Sequence, residues 1–202
     1  GKLEGFQSIS TNTSTNEYCK KQNTKNDPDN ICTHCYSWTM LKTFRKNMAP
    51  ALERNSILLN SKILHPDALP VINQAFFRFN SHGELALDKK KATINLINYI
   101  NIAIKNPHCN FTLWTKRFDI IKPYFDKNKK PKNFILVYSN PKINHIFKKP
   151  PTHFDKTFNN VYENIEVKKQ NCTGQKCKDC LLCYKLDTTD TIVEKVKSYG
   201  KK

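Results

Sequence analysis

The first apolar periodicity appears only after residue 35. Residues 7–30 are dominated by Ser, Thr, Asn, Lys and Asp and run into Asp27-Pro28-Asp29, the composition of a loop rather than a core segment. Trp38, Leu41 and Phe44 then recur on one side of a predicted helix over Tyr36–Met48, and Pro50 suits the first turn of a second, Ala51–Asn60. Residues 61–74 are mixed and interrupted by His65-Pro66 and Leu69-Pro70. A repeating pattern follows. Ala75–Asn80 predicts an aromatic-rich strand, with Ser81–Leu85 as its exit turn. Ile94, Ile97, Ile100 and Ile104 lie at helical spacing and predict an amphipathic helix over Lys89–Lys105, stopped by Asn106-Pro107. Asn110–Thr115 reads as a second strand and Phe118–Phe125 as a short helix containing Pro123. Asn133–Ser139 is a nearly all-apolar third strand, as expected when both faces are covered, and Val161–Val167 is a candidate fourth.

Strands separated by helical crossovers of about 30 residues imply right-handed, parallel βαβ units. The expected fold class is α/β, an open sheet or a small partial barrel. One domain spans 1–202, with an N-terminal cysteine loop (1–35), an α/β core (36–167) and a C-terminal cysteine segment and tail (168–202).

In parallel α/β folds, chemistry collects beyond the carboxyl ends of the strands. Here those ends read Asn80, Ser81, His82 and Glu84; Thr115, Lys116 and Arg117; Ser139 and Asn140. Arg78 interrupts an otherwise aromatic strand. It is either a surface position on an edge strand or a cation facing an anionic ligand such as a carboxylate or phosphate. The candidate ligand-binding set is Arg78, Ser81, His82, Thr115, Lys116 and Ser139, with Arg78, His82 and Lys116 as candidates for catalysis. Lys116-Arg117 also reads as a solvated helix start, and His82 before Gly83 as a turn residue. His65, His108, His145 and His153 show no metal spacing.

Composition narrows the classes. The chain has 202 residues, enough to bury a single core without staples, and only five glycines, with neither GxGxxG nor a Walker A loop. No apolar run is long enough to span a membrane, and the polar start lacks the h-region of a signal peptide. The 34 Lys+Arg against 17 Asp+Glu give +17, which suits a nucleic-acid partner. The lysines are nonetheless spread out, with short runs at Lys89–Lys91, Lys127–Lys132 and Lys148-Lys149. The 23 asparagines point equally to an Asn/Lys-rich composition from an AT-rich genome.

The eight cysteines are too sparse for a disulfide scaffold and are not scattered. Three lie early, as Cys19-x12-Cys32-x2-Cys35, and four late, as Cys172-x4-Cys177-x2-Cys180-x2-Cys183. Cys109, just before a strand, reads as a buried apolar residue. Adjacent C-x-x-C pairs make poor structural disulfides, and no βαβ start precedes Cys32 as a thioredoxin-like redox pair would require. Metal binding is the expectation for Cys19, Cys32, Cys35, Cys172, Cys177, Cys180 and Cys183. Three cysteines suit a [4Fe–4S] cluster with one open iron, and four suit a second, fully ligated cluster. Three alternatives stand beside this: zinc, zinc with His34 completing the early set, and one shared site in which Cys32 and Cys35 meet two of the late four.

The segments Cys32, Cys35 and Tyr36, FRFNSHGEL (77–85, after Phe76), FTLWTKR (111–117) and NCTGQKCKDCLLCY (171–184) resemble, in order, the phage "gene product eighty-eight" family. The resemblance implies an iron–sulfur protein, radical-SAM-like, in the cytoplasm of a bacterial host. It implies one or two [4Fe–4S] clusters, with S-adenosylmethionine or another small molecule as ligand. The three early cysteines match the N-terminal ligands and the four late ones the C-terminal ligands. Arg78, His82 and Gly83 match one strand-exit motif, and Thr115 and Lys116 the next. Two features depart from radical-SAM enzymes: twelve residues in the first cysteine gap instead of three, and three or four strands instead of six. The function expected is thus a redox or SAM-dependent iron–sulfur protein. The alternative is a basic nucleic-acid-binding or host-interacting protein in which a cluster or zinc is only structural.

Overall fold

The computed structural model describes residues 2–162, 170–186 and 189–196. Six strands form one sheet: β1 (Ser8–Ile9), β2 (Phe76–Phe79), β3 (Asn110–Thr115), β4 (Phe134–Ile143), β5 (Lys156–Val161) and β6 (Thr191–Lys195). They lie in sequential order and every neighbouring pair is parallel, so the parallel α/β expectation holds as an open sheet. The helices are α1 (Glu17–Asn23), α2 (Tyr36–Lys42), α3 (Ala49–Ser61), α4 (Lys89–Lys105), α5 (Phe118–Phe125) and α6 (Cys177–Cys180). No helix among the described residues is long and apolar enough to cross a membrane.

Capping fixes the long helices where the sequence signals them. The Asp88 side chain accepts from Lys91 N at 2.8 Å to start α4, and Asn106 ends it. Pro50 sits in the first turn of α3. The period-two alternation of the strands then divides the sheet into two faces. Phe77, Phe79, Phe111, Leu113, Phe134 and Leu136 face the helices and build the main core with Leu96, Tyr99, Ile102 and Ile121. Phe79 stacks between Tyr99 (4.2 Å) and Phe111 (5.3 Å). Full burial of a side chain of this kind contributes roughly 2–3 kcal/mol. The opposite face carries a smaller apolar patch of Ile135, Val137, Phe158 and Ile192.

Six expectations need correction. The sheet has six strands rather than three or four. β1 lies inside the polar stretch 7–30, where Ser8 pairs with Arg78 and Ile9 with Phe79. The next residues, Ser10, Thr11, Asn12 and Thr13, are buried, with hydrogen bonds to Ser81, Glu84 O, Ser56 and Glu53, and Ser37 and Gly83 in place of water. The strand placed at Val161–Val167 is β5, which ends at Val161; residues 163–169 lie outside the described set. β6 comes from the segment read as a tail. β2 pairs on both sides, so Arg78 is not on an edge strand. Finally, the helix drawn over Tyr36–Met48 stops at Lys42. Thr43 leaves helical geometry (φ −115°, ψ −106°), and Phe44 is left 69% exposed rather than stacked below Trp38 and Leu41.

Candidate functional site

The exits of β1 and β2 interlock through short polar side chains. Ser81 Oγ lies 3.0 Å from Ser8 Oγ and 2.7 Å from Ser10 Oγ, and the Tyr36 hydroxyl donates to Ser81 O. Ser37 Oγ is hydrogen-bonded to both Thr13 Oγ1 and His82 Nδ1, the latter at 2.7 Å. Gly83 N–H donates to Thr13 Oγ1 at 2.8 Å. This packing demands glycine: φ is +77°, and a Cβ would lie 2.2 Å from Thr11 Oγ1 and 2.5 Å from Thr11 O. Burial, reinforced by the positive charges of Arg45 and Arg78, pushes His82 down to about 4, so its imidazole is neutral at pH 7. The Glu84 carboxylate clamps the next exit. It accepts from Thr115 Oγ1 at 2.6 Å, Lys116 N at 2.8 Å and Leu85 N at 2.9 Å.

These exits form one wall of a cavity of about 830 Å³. Cys19, Cys32 and Cys35 line one part of it, and Cys172, Cys177 and Cys183 another. Cys19 is carried on α1, whose N-cap Asn16 accepts from Cys19 N at 3.1 Å. Cys32 is held by Asn30 Oδ1, which accepts from its N–H at 2.9 Å, and by Asn23, which donates to its carbonyl at 2.7 Å. Ile31 N–H donates to Pro141 O at 2.8 Å, tying this loop to β4. Burial pushes the Cys19 thiol well up, with Glu84, Cys35 and Cys32 adding to it. Burial also raises Cys32, and the Lys116 ammonium opposes that rise. Burial alone would lower Lys116, but Cys32 and Glu84 outweigh it and hold the ammonium charged, 3.0 Å from Ser139 Oγ.

Cys172 and Cys183 lie on the face of the sheet opposite the main core. Cys172 N–H donates to Val193 O at 3.1 Å beside β6, and Thr112 Oγ1 donates to Cys183 O at 3.2 Å from β3. Trp114, Cys172 and Cys183 pack against Ile135, Val137, Phe158 and Ile192. The N-terminal segment closes over this end. Cys177 N–H donates to Lys2 O at 2.8 Å, Lys2 Nζ lies 3.1 Å from Cys172 Sγ and pairs with Glu194, and Phe6 packs on Tyr184 at 4.5 Å. Burial pushes the Cys183 thiol up; Arg78 opposes, and Cys177, Cys172 and Cys180 add to the rise. The cysteine charges acting on Cys19 and Cys32 thus come from early cysteines, and those acting on Cys183 from late ones.

Of the residues expected at a site, Arg78, Ser81, His82, Lys116, Ser139 and all the clustered cysteines but Cys180 line the cavity. Cys180 sits in α6 with Gln175 Nε2 at 3.4 Å from its sulfur. Thr115 is buried and spends its hydroxyl on Glu84. Arg117 pairs with Asp119 at 2.8 Å and stacks on Tyr18. Cys109 is fully buried, and burial pushes its thiol up to about 12. The pattern of the sequence missed Lys2, Ser37 and Trp114 as cavity residues, because none of them lies beyond the end of a strand.

Among the described residues, no three His, Cys, Asp or Glu side chains converge closely enough to hold a metal ion. The donor chemistry is uniform: soft thiols in two groups, each with a cation beside it, a set suited to iron–sulfur clusters or zinc. His34, the candidate fourth ligand of the early group, has Nε2 at 3.0 Å from Pro28 O. The gene product 88 family profile matches residues 5–190. No curated protein and no solved structure matches the chain.

Proposed function

The chain belongs to the gene product 88 family, and we propose that it is an iron–sulfur protein whose two cysteine groups act on a small molecule bound in the cavity between them. One observation carries this reading: both thiol groups and the cations Lys2, Arg78 and Lys116 open on the same cavity of about 830 Å³. Cys19, Cys32 and Cys35 would hold a cluster with one protein-free iron, and Cys172, Cys177, Cys180 and Cys183 a fully ligated one. Such clusters supply electrons and, at an open iron, a Lewis-acidic position for a ligand such as S-adenosylmethionine.

The chain's own residues do the rest. Lys116 offsets the negative charge that thiolates at Cys32 and Cys35 would bring. His82, neutral and held by Ser37, presents a group able to give or take a proton from a bound ligand. Ser81 and Ser139 add hydroxyls to the same wall. Six parallel strands in sequential order remove one of the two departures from radical-SAM enzymes, the expected shortage of strands. The long first cysteine gap still separates this chain from that pattern.

The test is purification without oxygen, with iron, zinc and absorption measured per chain. About eight irons with a brown chromophore supports two clusters, and about four supports one. A colourless protein with stoichiometric zinc overturns the reading. Where iron is present, S-adenosylmethionine plus reductant should release 5′-deoxyadenosine if the open iron binds it; its absence retains the iron–sulfur protein and removes the SAM-dependent form.

A further inference from the structure

Two nitrogen donors on the late-cysteine face of the sheet lack an acceptor. Arg78 Nε and Trp114 Nε1 are both buried with no hydrogen-bond partner. They come from adjacent strands, β2 and β3, and the Arg78 guanidinium stacks on the Trp114 ring at 4.2 Å. A buried donor without an acceptor is destabilising, and a buried guanidinium without a counter-charge is more so. Among the described residues, no carboxylate pairs with Arg78. Its neighbours are groups that become negative only on losing a proton: Tyr184, Tyr36, Cys183 and Cys177. Trp114 itself packs beside Cys172 and Cys183. Lys2 is occupied by Glu194 and Cys172, and Lys116 faces the other cysteine group.

We infer that Arg78 and Trp114 are the potential-setting pair of the late-cysteine cluster: a fixed cation and an N–H donor that favour its more negative, reduced state. This rests on the iron–sulfur reading above. It assigns Arg78 to the cluster's charge rather than to a carboxylate or phosphate on the cavity's small molecule. An electron added to a thiolate-ligated cluster increases its negative charge, and a cation in a low-dielectric wall stabilises that charge. Arg78 and Trp114 are positioning residues here, since neither supplies a metal ligand.

The experiment is a potentiometric titration of the anaerobically purified protein, reduced stepwise by dithionite and followed by electron paramagnetic resonance. Arg78→Met should make one-electron reduction of one cluster at least tenfold less favourable, a fall of about 59 mV. Arg78→Lys should restore most of the shift, and Lys116→Met should leave that cluster's potential unmoved. Trp114→Phe keeps the stacked face and loses the N–H, so it should lower the same potential by less. An unchanged potential in Arg78→Met with full iron content overturns the inference, as does a loss of small-molecule affinity with no change in potential. Should Arg78→Met fail to hold iron, Trp114→Phe decides alone, and an unchanged potential there overturns it. A wild-type protein without redox-active iron fails at the earlier step and removes the functional reading and this inference together.

Discussion

The two cysteine ends are built by different means. The early group, Cys19, Cys32 and Cys35, is held by hydrogen bonds: Asn16, Asn23 and Asn30 fix its backbone, and Glu84 and Ser139 fix the Lys116 beside it. The late group also has hydrogen bonds, from Cys172 N–H to Val193 O, Cys177 N–H to Lys2 O and Thr112 Oγ1 to Cys183 O, but it rests in addition on an apolar patch, with the N-terminal segment laid across it and two unsatisfied donors below. Hydrogen-bonded support is directional and fails when one partner is removed, whereas packing tolerates single polar losses. The two ends should therefore respond separately, and to different substitutions.

The sharpest challenge to that division is removal of the proposed ligands. Cys19→Ser should abolish only one of the proposed metal groups and Cys183→Ser only the other; a metal content unmoved by Cys19→Ser would favour one shared site in which Cys32 and Cys35 meet two of the late four. Next comes Glu84→Ala, which orphans Thr115 Oγ1 and the N–H groups of Lys116 and Leu85. Urea unfolding should register about 4 kcal/mol. The early group should lose metal at a denaturant concentration where the late group keeps it. Gly83→Ala forces a side chain into Thr11 at positive φ and should cost about 3 kcal/mol in the same assay, again at the early end.

Acid should act on that end as well. The folded-state value of His82, about 4, lies below the ordinary 6.5, so between these pH values the unfolded chain binds the additional proton. Its contribution is complete above about pH 6.5 and is lost as pH falls towards 4, a decline of about 2–3 kcal/mol. His82→Gln should flatten that slope; a slope of unchanged size would show that another group titrates there. The smallest effect belongs to the late end. Thr112→Val removes one hydrogen bond to Cys183 O and should cost about 1 kcal/mol with no loss of metal. A larger loss would mean that this end too depends on directional contacts.

Legibility in the sequence followed the strength of the apolar pattern. Lys89–Lys105, Asn110–Thr115 and Phe118–Phe125 have their expected limits because each has both a clear period and a stop signal. β1 was hidden because two residues carry no measurable period, and its register comes from β2. Phe44 shows the converse: a helical spacing continued past Thr43, but the backbone did not. At the site, Ser81, His82, Lys116 and Ser139 could be named from expected strand ends, and Arg78 as a charge interrupting an aromatic strand. Ser37 could not, because only the approach of α2 to the β2 exit brings it to His82.

By itself the sequence determined the α/β class, the long middle elements, the division of the cysteines into three and four, and the family. Those follow from local spacing, which one chain segment carries alone. The tertiary structure decided that Ser10–Thr13 are buried, that Arg78 is interior, and that early and late cysteines share one cavity while facing different cations. Each of these depends on residues far apart in the chain being brought together by strand pairing. A cation's partner, unlike a helix's period, is not written next to it.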